Sequence, residues 1–153
     1  MNILALDTSM GVCSAAVLRT AASGEAQVLH EAQMVRGHAE ALMPMVEAVL
    51  TEADLSPRAL DTIAATQGPG SFTGVRIAIA AARGLALTSR AALFGTDSLT
   101  VMARRALHEG LATDGPFAVA VDARRPPLHQ REAERGDHPR VRAVGHLPRT
   151  EHV

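Results

Sequence analysis

The chain lacks lysine, tryptophan and tyrosine, and it has one cysteine and three phenylalanines in 153 residues. The absence of lysine excludes every mechanism that needs a lysine amine, including a Schiff base and the phosphate-binding lysine of a P-loop. The single cysteine, Cys13, cannot form an intrachain disulfide, so the sequence gives no sign of a secreted disulfide scaffold. Because aromatic residues are scarce while 47% of the residues are apolar, we expect a core of small side chains that favours close backbone packing.

A strong charge of either sign is also missing. The 15 basic residues, all arginine, nearly balance 16 acidic residues, and the formal net charge is −1. Nucleic-acid binding through a net positive field needs clustered basic charge, so the composition argues against that class. No run approaches the roughly 18 apolar residues of a membrane span, and the first residues, MNILALDTS, carry no basic leader. We therefore expect a cytoplasmic protein with no membrane partner.

The first part of the chain predicts three strands followed by a helix. Apolar runs joined by short turns favour an antiparallel meander, and helical spacing then takes over. Pro44 lies inside the helical segment, so the helix is predicted to begin near Met43 or to be kinked there. The strands are predicted at 2–9, 12–20 and 26–35, and the helical pattern covers 38–55.

The next part alternates strand and helix patterns, which is typical of an α/β layer architecture. Ser71 and Ser98 are predicted as the N-caps of two helices, since their hydroxyls can accept bonds from free helical N–H groups. The helices are predicted at about 71–89 and 98–107, and short strands at 61–67, 92–97 and 117–124.

The composition changes after Arg124. Residues 124–153 are rich in arginine, proline and histidine and show no sustained period. Such a segment buries too little apolar area to offset the entropy of ordering it. The predicted organisation is therefore one lobe over residues 1–125 and an irregular tail over 126–153.

A Gly-Pro-Gly turn stands directly before the second helix. It has no Gly-Lys pair at P-loop spacing, and a third glycine falls one place too late for G-x-G-x-x-G. Exposed N–H groups there could still hold an anion, but the pattern favours a structural turn. The residues of this predicted structural loop are Gly68, Pro69, Gly70, Ser71 and Gly74.

The helix behind the turn is apolar almost all round. Its only charged residues are Arg76 and Arg83, which are seven apart and lie on one side. Such a helix should be buried on more than one side, and in a domain of this size the sheet covers one. We expect another side to meet a helix of this chain and a partner.

Polar residues at two predicted strand ends are weak cofactor candidates. Asp7, Thr8 and Ser9 follow the first strand, and Asp122 ends a later one. Converging acidic strand ends would suit a hydrated Mg²⁺ with phosphates, whereas strand-end aspartates also simply satisfy turn N–H groups. The turn role is favoured at these strand ends, and the histidines show no zinc spacing. The sequence therefore predicts no metal and no cofactor beyond these weak candidates.

Four segments together closely resemble the TsaB (YeaZ) family of bacterial tRNA threonylcarbamoyladenosine synthesis. The resemblance covers about residues 2–125 and implies an actin-like, sugar-kinase-type (ribonuclease H-like) α/β lobe. Its mixed sheet would start with an antiparallel hairpin and carry packed helices. The segments are ILALDTS with CSAAV, HAEALMPMVEAVL, TQGPGSFTGVRIAIAAARGLAL and VDAR.

The resemblance implies a non-catalytic partner of the TsaD catalytic subunit in a heterodimer, and through it contact with the TsaE ATPase. Binding to tRNA is implied only within that complex, and a homodimer through the same helices is also implied. TsaD carries a metal-binding H-x-x-x-H motif, whereas Asp97 and Val101 stand at the two histidine positions here. The family pairs through its first two helices, which carries over to Leu42, Met45, Val46, Val49, Arg76, Ile79, Ala80 and Arg83.

The departure from the family comes at Arg125, where complete members continue into another strand and a second lobe. A frameshift or truncation near that codon would explain the tail, with a natural short variant as the alternative. Two enzyme hypotheses stay open beside the partner role. One is an actin-fold ATPase or kinase that uses Asp7, Thr8 and Asp122, and the other is a glycoprotease-type peptidase.

Overall fold

The computed structural model describes residues 1–22, 24–112 and 117–121, together with the backbone of 142–144. The chain divides into two compact units, Met1–Ser98 and Leu99–Val153. Within the described residues, no helix is long and apolar enough to cross a membrane.

The first unit is built on a five-stranded mixed sheet with strand order β3-β2-β1-β4-β5. Strands β1, β2 and β3 form the predicted antiparallel meander, and β4 and β5 run parallel to β1. The α/β class and the antiparallel start of the sheet are confirmed. The strands are β1 (Asn2–Asp7), β2 (Val12–Ala21), β3 (Gly24–Gln33), β4 (Thr62–Thr66) and β5 (Ala92–Thr96).

Two helices cover the same face of this sheet. Helix α1 (His38–Glu52) packs on β2 and β3, and helix α2 (Phe72–Ser89) packs mainly on β4 and β1. A short 3₁₀ helix, Pro57–Ala59, precedes β4. Because each long helix connects two parallel strands, both helices run opposite to those strands and parallel to each other.

The core lies between the sheet and the two helices. Alternation along β1 buries Leu4 and Leu6 on the helix side, while Ala5 points to the other face and is exposed. On that other face, the strand register aligns one apolar row across all five strands. The row runs Leu29, Ala16, Ala5, Ala64 and Phe94.

Helix α1 differs from the prediction at its start. It runs from His38 to Glu52 with Pro44 inside it, so of the two predicted alternatives the start near Met43 is wrong. Gly37 precedes it in the left-handed region at φ 89°, and no side chain caps it. The helix buries Leu42, Val46, Val49 and Leu50, and that apolar burial outweighs the loss of one backbone donor at Pro44.

Helix α3 (Ser98–His108) begins at the boundary of the two units, and the second unit also contains β6 (Ala118–Ala120) and β7 (Arg142–Val144). The helix begins at Ser98, where the sequence pattern predicts its start. The strands β6 and β7 pair antiparallel. For residues 142–144 this backbone pairing replaces the irregular structure expected of the tail.

Candidate functional site

The carboxyl end of β1 carries a polar cluster that is bonded within the fold. Asp7 Oδ1 accepts a hydrogen bond from Thr66 Oγ1 at 2.7 Å and another from Ser9 N at 2.7 Å. The first bond ties β1 to the end of the parallel strand β4, and the second closes a tight turn after β1. This oxygen of Asp7 therefore has a structural role.

Thr8 and Ser9 are fully buried and hold the glycine loop against the strand end. Thr8 Oγ1 donates to Gly74 O at 2.6 Å, and Ser71 N donates to Ser9 O at 2.6 Å. Ser98 Oγ donates to Ser9 Oγ at 3.2 Å. Three of the four cofactor candidates thus have partners within the chain, and Asp122 lies outside the described residues.

Close approach explains two glycines of the loop. A Cβ at Gly70 would overlap the carbonyl of Ser9, and one at Gly74 would overlap the carbonyl oxygen of Thr8. Ser71 precedes α2, and its Oγ accepts from Gly74 N at 3.3 Å. Glycine at these positions lets the start of α2 press against the backbone that follows β1.

Gly68 and Pro69 stand at the entry to the same loop. Gly68 adopts a positive φ of 96°, a backbone conformation that side chains rarely adopt. Its carbonyl accepts from Ser98 N at 2.8 Å. The positive φ of Gly68 and the hydrogen bond to its carbonyl oxygen both stabilise the turn itself.

Cys13 lies under α1 and is fully buried. Burial raises the pKa of its thiol, and the nearby Asp7 carboxylate raises it further. A raised pKa keeps the thiol protonated at neutral pH, which is the opposite of what a nucleophilic cysteine needs.

The two positions at which the resemblance places the histidines of a metal motif are Asp97 and Val101. Asp97 directly follows β5, and Val101 lies on α3. Within the part of the chain that the structure describes, no cluster of three His, Cys, Asp or Glu residues could hold a metal ion.

Helix α2 leaves one long side uncovered. Its buried side presents Gly74, Ala78 and Ala82 to the core. On the opposite side Phe72 is 70% exposed and Leu87 is 84% exposed. Three of the predicted interface residues on this helix, Arg76, Ala80 and Arg83, are exposed, and Ile79 is half-buried.

Phe72 and Arg76 contact each other at the start of this exposed side. The Arg76 guanidinium carbon lies 3.7 Å from the centroid of the Phe72 ring. The stacking is a cation–π contact between two residues one helical turn apart. This contact holds the Phe72 ring and the Arg76 guanidinium against each other at the surface of α2.

The predicted interface residues of α1 need a correction. Leu42, Val46 and Val49 are 1%, 1% and 0% exposed, because they pack on the sheet, and in this conformation they have no surface for a partner. Met45 is half-buried. The outward side of α1 instead presents Glu40, Met43, Pro44 and Glu47.

The sequence did not identify these outward residues, because apolar residues at helical spacing are expected both on a core side and on an interface side of a helix. The seven-residue spacing of Glu40 and Glu47 was an available signal, since residues two turns apart lie on one side of a helix. We call the combined outer side of the two helices the helix-layer surface. It consists of Glu40, Met43, Pro44, Glu47, Phe72, Arg76, Ala80, Arg83, Gly84 and Leu87.

Comparison with known proteins gives consistent matches. A family model described as TsaD, tRNA N6-adenosine threonylcarbamoyltransferase, matches residues 30–138. The tRNA threonylcarbamoyladenosine biosynthesis protein TsaB of Escherichia coli is 35% identical over 137 residues, which are 90% of this chain and 57% of that protein. A tRNA N6-adenosine threonylcarbamoyltransferase of Roseobacter denitrificans is 38% identical over 133 residues, covering 76% of this chain and 36% of that protein.

A solved structure agrees with these matches. YeaZ from Pseudomonas aeruginosa superposes with a TM-score of 0.71 at 32% identity, over 94% of this chain and 65% of that one. The mixed sheet with two helices on one face and these matches define an actin-like, ribonuclease H-like α/β protein. The chain belongs to the family that the TsaD model describes, in its TsaB (YeaZ) branch. It spans 57% of the length of the Escherichia coli relative.

Proposed function

We propose that this chain is a non-catalytic partner subunit in the formation of tRNA threonylcarbamoyladenosine. It binds a TsaD-type catalytic subunit through the helix-layer surface and supports transfer of the threonylcarbamoyl group to adenosine. The observation that carries the proposal is the uncovered side of α2, where Phe72 and Leu87 are 70% and 84% exposed. Exposed apolar residues that line one side of a helix mark an interaction site.

The non-catalytic part of the proposal is supported at two places. The resemblance places the two histidines of a metal motif at Asp97 and Val101, and neither position carries a histidine. Asp7 and Thr8, on which an ATPase would depend, bond to Thr66 and Gly74 within the fold. The proposal therefore assigns no catalytic residue and no cofactor to this chain.

The proposed catalytic partner also determines which other molecules this chain would meet. Through it the chain would meet the TsaE ATPase and the tRNA, in the cytoplasm. The chain itself carries a net charge of −1, which suits a subunit that meets tRNA only within a complex.

Co-purification with a TsaD-type subunit tests the proposal. Ala80 is exposed in the middle of the helix-layer surface, so Ala80→Glu places an unpaired carboxylate in the interface and should weaken binding at least about tenfold. Ala22→Glu, in the exposed turn after β2, is the matched control and should bind as the unsubstituted chain does. Undiminished co-purification of the Ala80→Glu chain would contradict the proposal.

A further inference from the structure

Strand β3 lies at one edge of the sheet and pairs on one side only, with β2. That pairing covers all ten residues of Gly24–Gln33 in one unbroken register. Edge strands are commonly protected from further pairing by a short length, a bulge or a proline, and none of these occurs within Gly24–Gln33. The open side of β3 can therefore accept another strand.

Alternate residues of β3 direct their backbone groups to this open side. Just beyond the strand, Met34 N donates to Gly11 O, so the even-numbered residues of β3 face β2. The odd-numbered residues direct their N–H and C=O groups away from β2. We call these residues the β3 edge row, and they are Glu25, Gln27, Leu29, Glu31 and Gln33.

The side chains of the β3 edge row lie on the face of the sheet that the two helices leave uncovered, and all of them are exposed. Leu29, at the centre of the row, is 50% exposed. Within the described residues, the polar side chains of the row take part in no hydrogen bond or ion pair. Their hydrogen-bonding groups are therefore available to a partner strand.

The order of side chains in this row is complementary to itself when the strand direction is reversed. The row reads Glu, Gln, Leu, Glu, Gln, and its reverse reads Gln, Glu, Leu, Gln, Glu. An antiparallel copy centred on Leu29 places Glu25 opposite Gln33, and Gln27 opposite Glu31, each twice. A glutamine amide donates and a carboxylate accepts, so every polar pair can form a side-chain hydrogen bond.

From these observations we infer that a second copy of this chain pairs with β3 edge to edge, antiparallel, about a two-fold axis through Leu29. Each facing pair of the row exchanges two backbone hydrogen bonds, as in any antiparallel ladder. The five-stranded sheets of the two copies then form one continuous sheet. The apolar row on the uncovered face, which ends at Leu29, continues into the second copy.

Neighbouring registers are less favourable. Outward-facing residues must face each other, so the register changes in steps of two residues. One step in one direction places Glu25 opposite Glu31, twice, and like charges directly opposite each other are destabilising. One step in the other direction places Leu29 opposite Glu31 and removes every pair of glutamate with glutamine. The order of residues in the row thus selects the register centred on Leu29.

The edge contact does not use the helix-layer surface. It therefore differs from the homodimer through the helices that the resemblance implies, and it does not compete with the proposed catalytic partner. The inference does not rest on the proposed function, because it depends only on the residues of β3. Its test contains no catalytic subunit, so failure of the self-pair and failure of the co-purification are separate results.

Sedimentation velocity of the full chain over a range of concentrations measures the self-pair. Gln27→Glu with Gln33→Glu places a carboxylate opposite a carboxylate at every polar pair and should weaken self-association at least about tenfold. Gln27→Lys with Gln33→Lys places an ammonium group opposite a carboxylate at the same pairs and should strengthen it at least about threefold. These opposite effects from the same two positions depend on the register centred on Leu29.

Arg58→Glu is the matched control for net charge. It changes the net charge by the same amount as Gln27→Glu with Gln33→Glu, at an exposed residue outside the β3 edge row. Self-association of the Arg58→Glu chain should equal that of the unsubstituted chain.

Leu29→Pro tests the backbone part of the contact. It removes the N–H at the centre of the row, and because that N–H points away from β2, no ladder bond within the chain is lost. The variant should keep a native circular dichroism spectrum and self-associate at least about tenfold more weakly.

Residue-resolved amide hydrogen exchange locates the contact. The amides of Gln27, Leu29 and Glu31 should exchange more slowly as the concentration of the unsubstituted chain rises, because the second copy covers them. In the chain with Gln27→Glu and Gln33→Glu, their exchange should depend far less on concentration.

Three outcomes would overturn the inference. The unsubstituted chain could remain monomeric at every concentration, which would leave an extended segment of another protein as the occupant of the β3 edge. The glutamate and lysine variants could shift self-association in the same direction, which would exclude the register centred on Leu29. The chain could self-associate without slower exchange at the β3 edge row, which would place the contact on a different surface.

Discussion

Asp7 shows how one side chain can join distant parts of the sequence. Its Oδ1 accepts from Thr66 Oγ1 across 59 residues and from Ser9 N two residues away. Sequence spacing could place Asp7 at a strand end but could not distinguish a ligand from a turn residue. The distinction depends on Thr66, which is adjacent only after β1 and β4 pair.

Replacing Asp7 should therefore affect stability first. Asp7→Ala removes the acceptor of two hydrogen bonds and should lower the free energy of unfolding by about 1–3 kcal/mol, measured by urea denaturation. Asp7→Asn keeps a carbonyl oxygen at the same position and should retain most of the stability. Equal stability of Asp7→Ala and the unsubstituted chain would contradict the structural role.

Two glycines of α2 form a matched pair. Gly74→Ala drives a Cβ into the carbonyl oxygen of Thr8, whereas Gly84→Ala places it in open space. The first change should lower the free energy of unfolding by about 1–3 kcal/mol through overpacking. The second should raise it by up to about 1 kcal/mol through helix propensity. Thermal denaturation of both variants measures these changes. Changes of the same sign in the free energy of unfolding would contradict the packing of Gly74 and Gly84.

Cys13 makes stability depend on alkaline pH. Burial raises the pKa of its thiol in the folded chain. An unfolded cysteine thiol has a pKa of about 8.5. The protonated thiol is the form favoured by folding, so its contribution is fully present below the unfolded pKa and is lost as the pH rises through the folded pKa. In reducing buffer, the stability difference between the unsubstituted chain and Cys13→Ala should therefore fall above about pH 8.5. A difference that stays constant across that range would contradict this.

At the scale of elements, α1 shows what periodicity can and cannot reveal. Its apolar spacing predicted a helix, and the helix exists. The same spacing suited both a core and a partner interface, and the resemblance assigned Leu42, Val46 and Val49 to the interface. These three side chains are buried in the core, because the apolar side of α1 packs on its own sheet. They therefore do not belong to the exposed surface.

A substitution at Pro44 tests how much this proline costs the stability of α1. It lies exposed inside α1, where it removes one backbone donor and crowds the preceding turn. Pro44→Ala should raise the free energy of unfolding by about 1–3 kcal/mol in urea denaturation. Ala39→Ser, at another exposed position of α1, should change it by less than about 0.5 kcal/mol. A loss of stability in Pro44→Ala would show that α1 depends on the rigid proline.

At the scale of the whole molecule, the sequence was most informative where local pattern and family resemblance agreed. The meander and the alternation of β4, α2 and β5 were predicted within a few residues of their bounds. The helix-layer surface could be predicted only in part, since exposure depends on which sides of α1 and α2 the sheet covers. Glu40, Glu47, Arg76 and Arg83 can be assigned to this surface only when that covering is known.

The strand order has a kinetic consequence. Strands β1, β2 and β3 pair through successive short hairpins. Strand β4 pairs with β1 although β2, β3 and α1 lie between them in the sequence. Local contacts close small loops and form at low entropic cost, so the meander should assemble before the parallel pairs. Val17→Ala in β2 should then slow refolding, and Ile63→Val in β4 should mainly speed unfolding, both measured by stopped-flow mixing. The opposite pattern would mean that folding begins around the parallel strands, with the hairpins added last.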